Sequence, residues 1–200
     1  MNLDRPVPLN VVHQLDEFSS GVYTLDQWLK RRALKNQVSG ASKNFVVCEL
    51  NKVRVFCSLA YGAVTADGVS GRFRRNMPDP IPVVILGRLA IDHSLQGKGL
   101  GRILIRDAGM RILQASQTLG IRGMMVHALT EGARNFYLRF GFEVSHIDPM
   151  MLLITLHDLE NCFEWASLRI NLIYGDLPRH AFNLLPGGDV RSFNLLAASN

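Results

Sequence analysis

The sequence predicts an α/β fold in which a mixed central β-sheet is flanked by helices on both faces. Val83 to Ile91 is apolar at nearly every position, as expected for a strand that is covered on both sides. A glycine-rich loop, Gln96 to Gly101, follows this strand, and a helical periodicity then runs from Ile103 to Leu119. Strand and helix patterns continue to alternate up to residue 156, which is typical of a sheet layered between helices.

The other elements follow from local patterns in chain order. A basic amphipathic helix precedes two strands that are joined by the polar turn Glu49 to Lys52. A long loop rich in Gly, Arg and Pro leads into the central strand. Beyond the long helix we expect a short strand, a helix that ends at Gly141, and two closing strands. The predicted bounds are 25–35 for the first helix, 44–50 and 53–63 for the two strands, 66–82 for the loop, and 123–129, 131–140, 142–147 and 150–156 for the last four elements.

Composition excludes several classes of protein. Of 200 residues, 48% are hydrophobic and 20% are charged, which indicates a folded core rather than disorder. Cys48, Cys57 and Cys162 form no Cys-x-x-Cys pair, so we expect neither a disulfide framework nor a metal site. No apolar run reaches the length of a membrane helix, and the N-terminus lacks a signal-peptide core. We therefore expect a cytoplasmic protein with no membrane partner.

The charge is unevenly distributed along the chain. Residues 157–200 carry three basic and five acidic side chains, so the first 156 residues hold a net charge of +7 within a total of +5. We predict a catalytic domain over 1–156 and a C-terminal extension of unknown role over 157–200. Two basic clusters stand out, Lys30 to Arg32 with Lys35, and Arg72 with Arg74 and Arg75. Such clusters favour polyanions, although a solvated surface explains them equally well.

The loop after the central strand predicts a phosphate-bearing ligand. A strand that opens into a glycine turn at a helix start directs backbone N–H groups at an anion, and the helix dipole adds to the attraction. The spacing is Gln-x-x-Gly-x-Gly, which fits neither a P-loop nor a dinucleotide-binding loop. A glycine turn that only caps the helix is the alternative.

Two motifs together resemble the GNAT acetyltransferases. Gln96 to Gly101 is similar to the acyl-CoA loop of that family, and Glu131 to Phe142 is similar to its Ala-x-x-Phe-Tyr-x-x-x-Gly-Phe signature. The order of the predicted elements agrees with the GNAT fold. The resemblance implies acetyl-CoA as the acetyl donor. It implies as cofactor-binding residues Leu89, Ala90, Ile91, Gln96, Gly97, Lys98, Gly99, Leu100, Gly101, Arg102, Ala133 and Asn135.

The same resemblance places Tyr137 at the position of the proton donor. A phenol, with an ordinary pKa of about 10, is reasonably matched to a departing thiol of about 8.5. Packing alone is the alternative role for this tyrosine. We expect the backbone N–H groups of Leu89 and Ile91 to polarise the thioester carbonyl.

No general base is obvious in the sequence. The titratable side chains near the two motifs are more often structural than catalytic, and a histidine that ends an apolar strand, such as His127, is usually one whose hydrogen bonds are satisfied. An α-amino group titrates near 8, and an adjacent ester lowers that value, so such an acceptor needs little help. The candidates are Asp92, His93, His127 and Glu131.

A closer resemblance, over roughly residues 10–156, is to the GNAT toxins of the TacT/AtaT type. It is carried by segments such as Leu25 to Leu29, Arg75 to Pro78 and Leu86 to Asp92. That group acetylates the α-amino group of aminoacyl-tRNA, forms homodimers, and is neutralised by a ribbon-helix-helix antitoxin, through which alone it meets operator DNA. The resemblance implies as tRNA-binding residues Lys30, Arg31, Arg32, Lys35, Arg72, Arg74, Arg75 and Arg88.

Two other functions stay open at this point. One is a GNAT enzyme that acetylates a small amine or a protein N-terminus. The other is a non-catalytic acetyl-CoA-binding partner in a repressor complex, and the presence of Tyr137 argues against it.

Overall fold

Seven strands form one mixed sheet in the computed structural model, which describes residues 3–162. The strands are β1 Val7–Pro8, β2 Lys43–Glu49, β3 Lys52–Val64, β4 Ile81–Ile91, β5 Gly123–His127, β6 Glu143–Val144 and β7 Met151–Thr155. Their order across the sheet is β1-β2-β3-β4-β5-β7-β6. Only β4 and β5 run parallel, and the remaining neighbours are antiparallel. The predicted α/β class with a mixed sheet is confirmed.

Helices cover both faces of this sheet. They are α1 Tyr23–Trp28, α2 Leu34–Ser39, α3 Gly71–Arg74, α4 Leu100–Ser116 and α5 Glu131–Leu138. A π-helical stretch, Leu29–Ala33, joins α1 to α2, so the predicted basic helix is continuous but contains a widened turn. Two short 3-10 segments, Ala66–Gly68 and His93–Leu95, lie in the connections, and residues 156–162 are helical.

The two faces of the sheet have separate apolar cores. On one side, Leu29 and Ala33 of the π-helical stretch are buried against Phe56 and Ala90. Ile91 follows Ala90 along β4, so its side chain points to the opposite face. The Cδ1 atom of Ile91 lies next to the start of α4, which therefore covers that opposite face. We call these the α1 face and the α4 face.

The strands β4 and β5 separate after a short paired stretch. Their parallel register covers only Val84 to Leu86, whereas β4 itself continues to Ile91. On its other side β4 stays paired with β3, with a register shift that leaves Gly87 as an extra residue. We call the point where β4 and β5 diverge, after Leu86 and Val126, the fork.

The structure differs from the sequence-based expectation mainly at chain ends and loops. The predicted 66–82 loop contains α3 and a 3-10 turn, and the two-residue β1 was not predicted. The strand predicted over 142–147 is only two residues long, because it lies at the sheet edge and pairs with β7 alone. The first compact unit spans Met1–Cys162. The domain boundary at 156 stays a prediction, because residues 163–200 lie outside the described residues.

Within residues 3–162, no helix combines the length and apolarity needed to cross a membrane. The same residues contain no group of three His, Cys, Asp or Glu side chains arranged to hold a metal ion. All three cysteines are free thiols.

Candidate active site

The N–H and C=O groups of β4 point alternately toward β3 and away from it as the strand passes the fork. The N–H group of Asp92, just after the strand, donates to the Arg54 carbonyl of β3 at 2.8 Å. In an antiparallel ladder, every second residue turns its N–H and C=O groups toward the same partner. Leu89 and Ile91 therefore turn theirs away from β3, toward the side on which β5 has separated.

This arrangement leaves part of the β4 edge open. Beyond Leu86, β5 no longer pairs with β4. The carbonyl of Ile91 accepts a hydrogen bond from the Gln96 side-chain amide at 3.0 Å. The N–H groups of Leu89 and Ile91 thus face the open edge, and their predicted role as donors to the thioester carbonyl stays a prediction.

The loop after β4 has a conformation that requires glycine. Gly97 and Gly99 have φ values of +76° and +79°, and a Cβ atom at either position would meet nothing within 4 Å. Gly99 is the N-cap of α4, no side chain caps that helix, and its first turn holds no acidic residue. A 17-residue helix that starts with uncapped N–H groups next to open space suits a diphosphate group.

The Gln96 side chain braces the loop. Its amide donates to the carbonyl of Ser20 at 2.8 Å as well as to Ile91. Its backbone N–H is directed at the His93 carbonyl at 3.4 Å. Gln96 therefore holds the loop against the strand end, a role that differs from the direct ligand contact expected from the sequence.

Two of the remaining residues in this segment are cations. Lys98 is exposed, and its ammonium group donates to the Ser94 carbonyl at 3.2 Å. Arg102, in the first turn of α4, places its guanidinium 5.5 Å from the ring centre of Phe140. Leu100 begins the helix and is half-buried. Both cations border the glycine turn.

Tyr137 has a buried ring and a hydroxyl that reaches solvent. The residue is 8% exposed, and its ring packs against Phe136 and Phe142, each with ring centres 5.4 Å apart. No described group hydrogen-bonds to the Tyr137 oxygen. Every fully buried side-chain oxygen among residues 3–162 has a hydrogen-bond partner, so the Tyr137 oxygen is not fully buried and reaches solvent. Burial, with a smaller contribution from Cys57, raises the pKa of Tyr137 to about 12. The phenol is therefore less well matched to a thiol than the sequence suggested.

The surroundings of Tyr137 place it on the α4 face. Its electrostatic neighbour Cys57 is the register partner of Leu89, whose backbone lines the open edge. Its chain neighbour Phe136 is so close to the start of α4 that a Cβ atom on Gly101 would lie 3.0 Å from the ring. The small residue at position 101 thus permits α5 to pack against the loop.

The other two predicted cofactor residues lie on α5. The backbone N–H of Ala133 donates to the Thr130 hydroxyl at 3.1 Å, which caps the helix. Asn135 is exposed, and its side-chain amide has no hydrogen bond among the described residues. Ala90 points into the α1-face core and is buried.

Two of the four candidate bases have structural roles. The Asp92 carboxylate is buried and accepts hydrogen bonds from the N–H groups of Ser19 and Ser94. Burial opposes the ionisation of Asp92, but these hydrogen bonds outweigh it and hold its pKa below the usual value. His93 lies beside the same segment, with its Nδ1 atom 3.1 Å from the Ser19 carbonyl.

The other two candidates lie beyond the fork. Glu131 begins α5, and its carboxylate is 3.6 Å from the Arg134 guanidinium. His127 ends β5, and its side chain is 59% exposed, with Nδ1 3.6 Å from the Asp148 carboxylate. This side chain therefore lies outside the core, next to a carboxylate, and the structural role expected for it stays a prediction.

The first basic cluster surrounds the π-helical stretch. Arg31, Arg32 and Lys35 are exposed, Lys30 is half-buried, and no described carboxylate forms an ion pair with any of them. Arg88 lies near this helix, on the α1 face.

Arg88 rests on an aromatic ring rather than on a carboxylate. Its guanidinium is 4.1 Å from the ring centre of Trp28, which is itself stacked on Phe56. Burial lowers the pKa of Arg88, and no described carboxylate pairs with it. This cation therefore remains available to an anionic ligand.

The second basic cluster lies at the other end of β4. Arg72 forms ion pairs with Glu143 and Asp158, so its charge is already offset. Arg74 and Arg75 are exposed and have no ion pair among the described residues. The seven residue steps along β4 from Ile81 to Arg88 span about 23 Å, so the clusters form two separate surfaces.

Known proteins share this architecture. Residues 41–144 match the family model described as acetyltransferase (GNAT) domain. A curated tRNA-acetylating toxin of Mycobacterium tuberculosis is 46% identical over 153 residues, which cover 76% of this chain and 92% of the relative.

Solved structures of toxins are similar as well. AtaT complexed with acetyl-methionyl-tRNAfMet matches with a TM-score of 0.75 and 27% identity, over 81% of this chain and 99% of that one. A tyrosine-to-phenylalanine mutant of AtaT, bound to the C-terminus of the antitoxin AtaR and to acetyl-CoA, matches with a TM-score of 0.70 and 26% identity, over 82% and 99% of the two chains. This chain therefore belongs to the GNAT acetyltransferase family, on the branch of these toxins.

Proposed function

We propose that this chain is a toxin acetyltransferase that transfers an acetyl group from acetyl-CoA to the α-amino group of aminoacyl-tRNA and so blocks translation. The observation that carries the proposal is the open edge of β4, which ends in a loop with two left-handed glycines and lies beside Tyr137. The 46% identity to a tRNA-acetylating toxin supports the choice of acceptor.

The donor is held by backbone groups more than by side chains. Gly97 to Gly101 would receive the diphosphate of acetyl-CoA at the uncapped start of α4, with Lys98 and Arg102 nearby. The pantetheine arm would lie along the open edge of β4, with Ala133 and Asn135 on α5 bordering it. The thioester supplies an activated acetyl group.

The transfer step uses groups that face the fork. The amine nitrogen bonds to the carbonyl carbon, and negative charge develops on the carbonyl oxygen. The fixed N–H donors at Leu89 and Ile91 are about 7 Å apart along β4, so one of them stabilises that charge and the other is left to bind the pantetheine arm. The carbon–sulfur bond then breaks, its electron pair goes to sulfur, and the amine nitrogen releases one proton to solvent. The Tyr137 hydroxyl donates a hydrogen bond to the departing sulfur. With its pKa raised to about 12, this phenol stays protonated throughout the neutral range.

The acceptor approaches from the α1 face. The charges of Lys30, Arg31, Arg32 and Lys35, which form no ion pair within residues 3–162, are offered to phosphates, which position a nucleic acid without reading its sequence. Arg88, on Trp28, lies next to Leu89 and so brings a cation close to the reacting atoms. Arg74 and Arg75 would serve a more distant part of the tRNA. Arg72 is omitted from the binding surface, because Glu143 and Asp158 hold it.

The partners and compartment follow from the toxin assignment. We propose a homodimer in the cytoplasm that is neutralised by a ribbon-helix-helix antitoxin and meets operator DNA only through that antitoxin. The AtaT structure with the AtaR C-terminus supports an antitoxin partner.

The test is a competition between acceptors. The protein is incubated with labelled acetyl-CoA and a pool of charged tRNAs, with polyamines and N-terminal peptides in parallel reactions. We expect label on charged tRNA, released by mild alkali as an N-acetyl amino acid. Label on the small amines or peptides alone would contradict the toxin assignment, and the absence of transfer to any acceptor would favour a non-catalytic partner.

The basic surface has its own test. Replacing Lys30, Arg31 and Arg32 with Gln should weaken the binding of tRNA. The slope of the logarithm of the tRNA binding constant against the logarithm of salt concentration should become shallower by about 0.7–0.9 for each lost phosphate contact. Lys52→Gln is the matched control, because Lys52 is paired with Glu17. An unchanged salt dependence in the triple variant would contradict this surface.

A further inference from the structure

We propose that His127, oriented by Asp148, is the base that accepts the proton lost by the acceptor amine. The inference rests on the proposed function and adds a catalytic residue to it. It starts from the exposure of a histidine that lies at the fork rather than in the core.

The position of His127 places it on the acceptor side. It follows Val126, the last residue of β5 that pairs with β4. Side chains alternate along a strand, and Met125, two residues earlier, packs in the core cluster that contains Val83. Met125 pairs with Ile85, which pairs with Ala60 on β3. Ala60 lies in step with Phe56 on the α1 face, and Ile85 lies on this face too because the extra residue Gly87 shifts the alternation of β4. His127 therefore projects from the α1 face, the face that also carries Arg88, whereas Tyr137 lies on the α4 face.

Asp148 is held in place to orient the imidazole. One carboxylate oxygen accepts the Met150 N–H at 2.8 Å, and the other lies 3.6 Å from His127 Nδ1. The Met150 carbonyl in turn accepts the N–H of Ala128, which follows His127. We assign the proton of the neutral ring to Nδ1, the nitrogen that faces a carboxylate, and the lone pair to Nε2. At 3.6 Å this contact is longer than a hydrogen bond, and catalytic hydrogen bonds are often long before substrate binds and then tighten.

The charged groups around His127 come from three elements. Asp148 lies on the loop before β7, and Glu131 and Arg134 lie on α5. Arg134 is bound by Glu131 and by the Pro149 carbonyl at 2.9 Å. Arg88 projects from β4 on the same face. Of these groups, Asp148 alone is within ion-pair distance of the ring.

The proton balance uses both faces of the fork. As the amine nitrogen bonds to the acetyl carbon, its proton moves to His127 Nε2, and the electron pair of the broken carbon–sulfur bond stays on sulfur. Tyr137 donates a hydrogen bond to that sulfur, and His127 returns the proton to solvent. Imidazole suits this role because its charge changes between pH 5 and 8.

The experiment uses the full chain with a charged tRNA that the wild type acetylates. His127→Ala and His127→Gln are compared with His146→Gln, an exposed histidine on the loop after β6. We expect kcat to fall about 100-fold at pH 7 in both His127 variants, with KM for charged tRNA and the acetyl-CoA affinity unchanged. Added imidazole should restore part of the activity of His127→Ala, and Asp148→Asn should show a smaller loss.

The pH profile separates a base from a structural residue. The wild type requires both a neutral amine and a neutral imidazole, so its activity falls more steeply at acid pH than that of His127→Gln. Activity within threefold of the wild type, or a folded His127→Ala that imidazole does not rescue, would overturn the proposal. Failure of the wild type to acetylate any charged tRNA would instead overturn the proposed function.

Discussion

Gly99→Ala tests whether the loop is built to hold a diphosphate. Gly99 adopts φ of +79°, and an added Cβ atom would meet no neighbour within 4 Å. The only cost is therefore the left-handed conformation, about 1–2 kcal/mol for a residue with a side chain. An alanine also restricts the unfolded chain, which offsets part of this cost.

Gly120→Ala is the matched control for that offset. Gly120 also has open space around a Cβ atom, but its φ lies outside the left-handed region. With acetyl-CoA saturating, we expect the unfolding free energy of Gly99→Ala to lie about 1–2 kcal/mol below that of Gly120→Ala. Gly99→Asn should recover part of the difference, because Asn tolerates the left-handed region.

Chemical denaturation with and without ligand measures these energies. If the free loop of Gly99→Ala relaxes, the cost appears as a weaker affinity, about 5–30-fold in Kd for acetyl-CoA. Acetyl-pantetheine, which lacks the diphosphate, should be affected much less. Equal unfolding energies for the two alanine variants in the presence of acetyl-CoA would refute the view that this loop binds ligand in its left-handed conformation.

Three further outcomes are expected. Tyr137→Phe should lower kcat about 100-fold. The melting temperature and the acetyl-CoA affinity should stay unchanged, because no described group hydrogen-bonds to the lost hydroxyl. An unchanged kcat would show that Tyr137 is not the hydrogen-bond donor to sulfur. The phenol of Tyr137 should ionise at about pH 12, above the value of about 10 for a tyrosine in an unfolded peptide, as followed by the difference in ultraviolet absorbance between the wild type and Tyr137→Phe. Because the folded-state pKa is raised, the stability from burying this neutral phenol is complete below about pH 10 and is lost between 10 and 12, so Tyr137→Phe should lose less stability over that range. Gly123→Ala should destabilise the protein by roughly 2–3 kcal/mol in thermal unfolding, since its Cβ atom would lie 2.0 Å from the Ile154 carbonyl oxygen, and a melting temperature equal to that of Gly120→Ala would contradict that geometry.

Local patterns predicted the parts of the site that depend on neighbouring residues. The glycine turn between Gln96 and Gly101 was predicted because left-handed positions and helix starts have strong local signals. The order of strands and helices followed from hydrophobic periodicity. The predicted C-cap at Gly141 is wrong, because α5 ends at Leu138 with Arg139 as its C-cap, and Gly141, with φ of +83°, lies in the turn that follows.

Features that depend on distant residues could not be predicted in this way. The fork depends on where the register of β4 and β5 stops. The charge of Arg72 is offset by Glu143 and Asp158, which lie 71 and 86 residues away. The brace formed by Gln96 depends on Ser20, 76 residues away. In each case the partners are brought together by the tertiary structure, and no local sequence pattern indicates the contact.

Amide hydrogen exchange along β4, followed by NMR with and without acetyl-CoA, tests most directly whether the open edge of β4 binds acetyl-CoA. The ligand should slow exchange at Leu89 and Ile91, whose N–H groups face this edge. Arg88 and Ala90, whose N–H groups face β3, should exchange at the same rates in both states. Protection at Arg88 and Ala90, or no change at Leu89 and Ile91 when acetyl-CoA saturates the protein, would contradict binding at this edge.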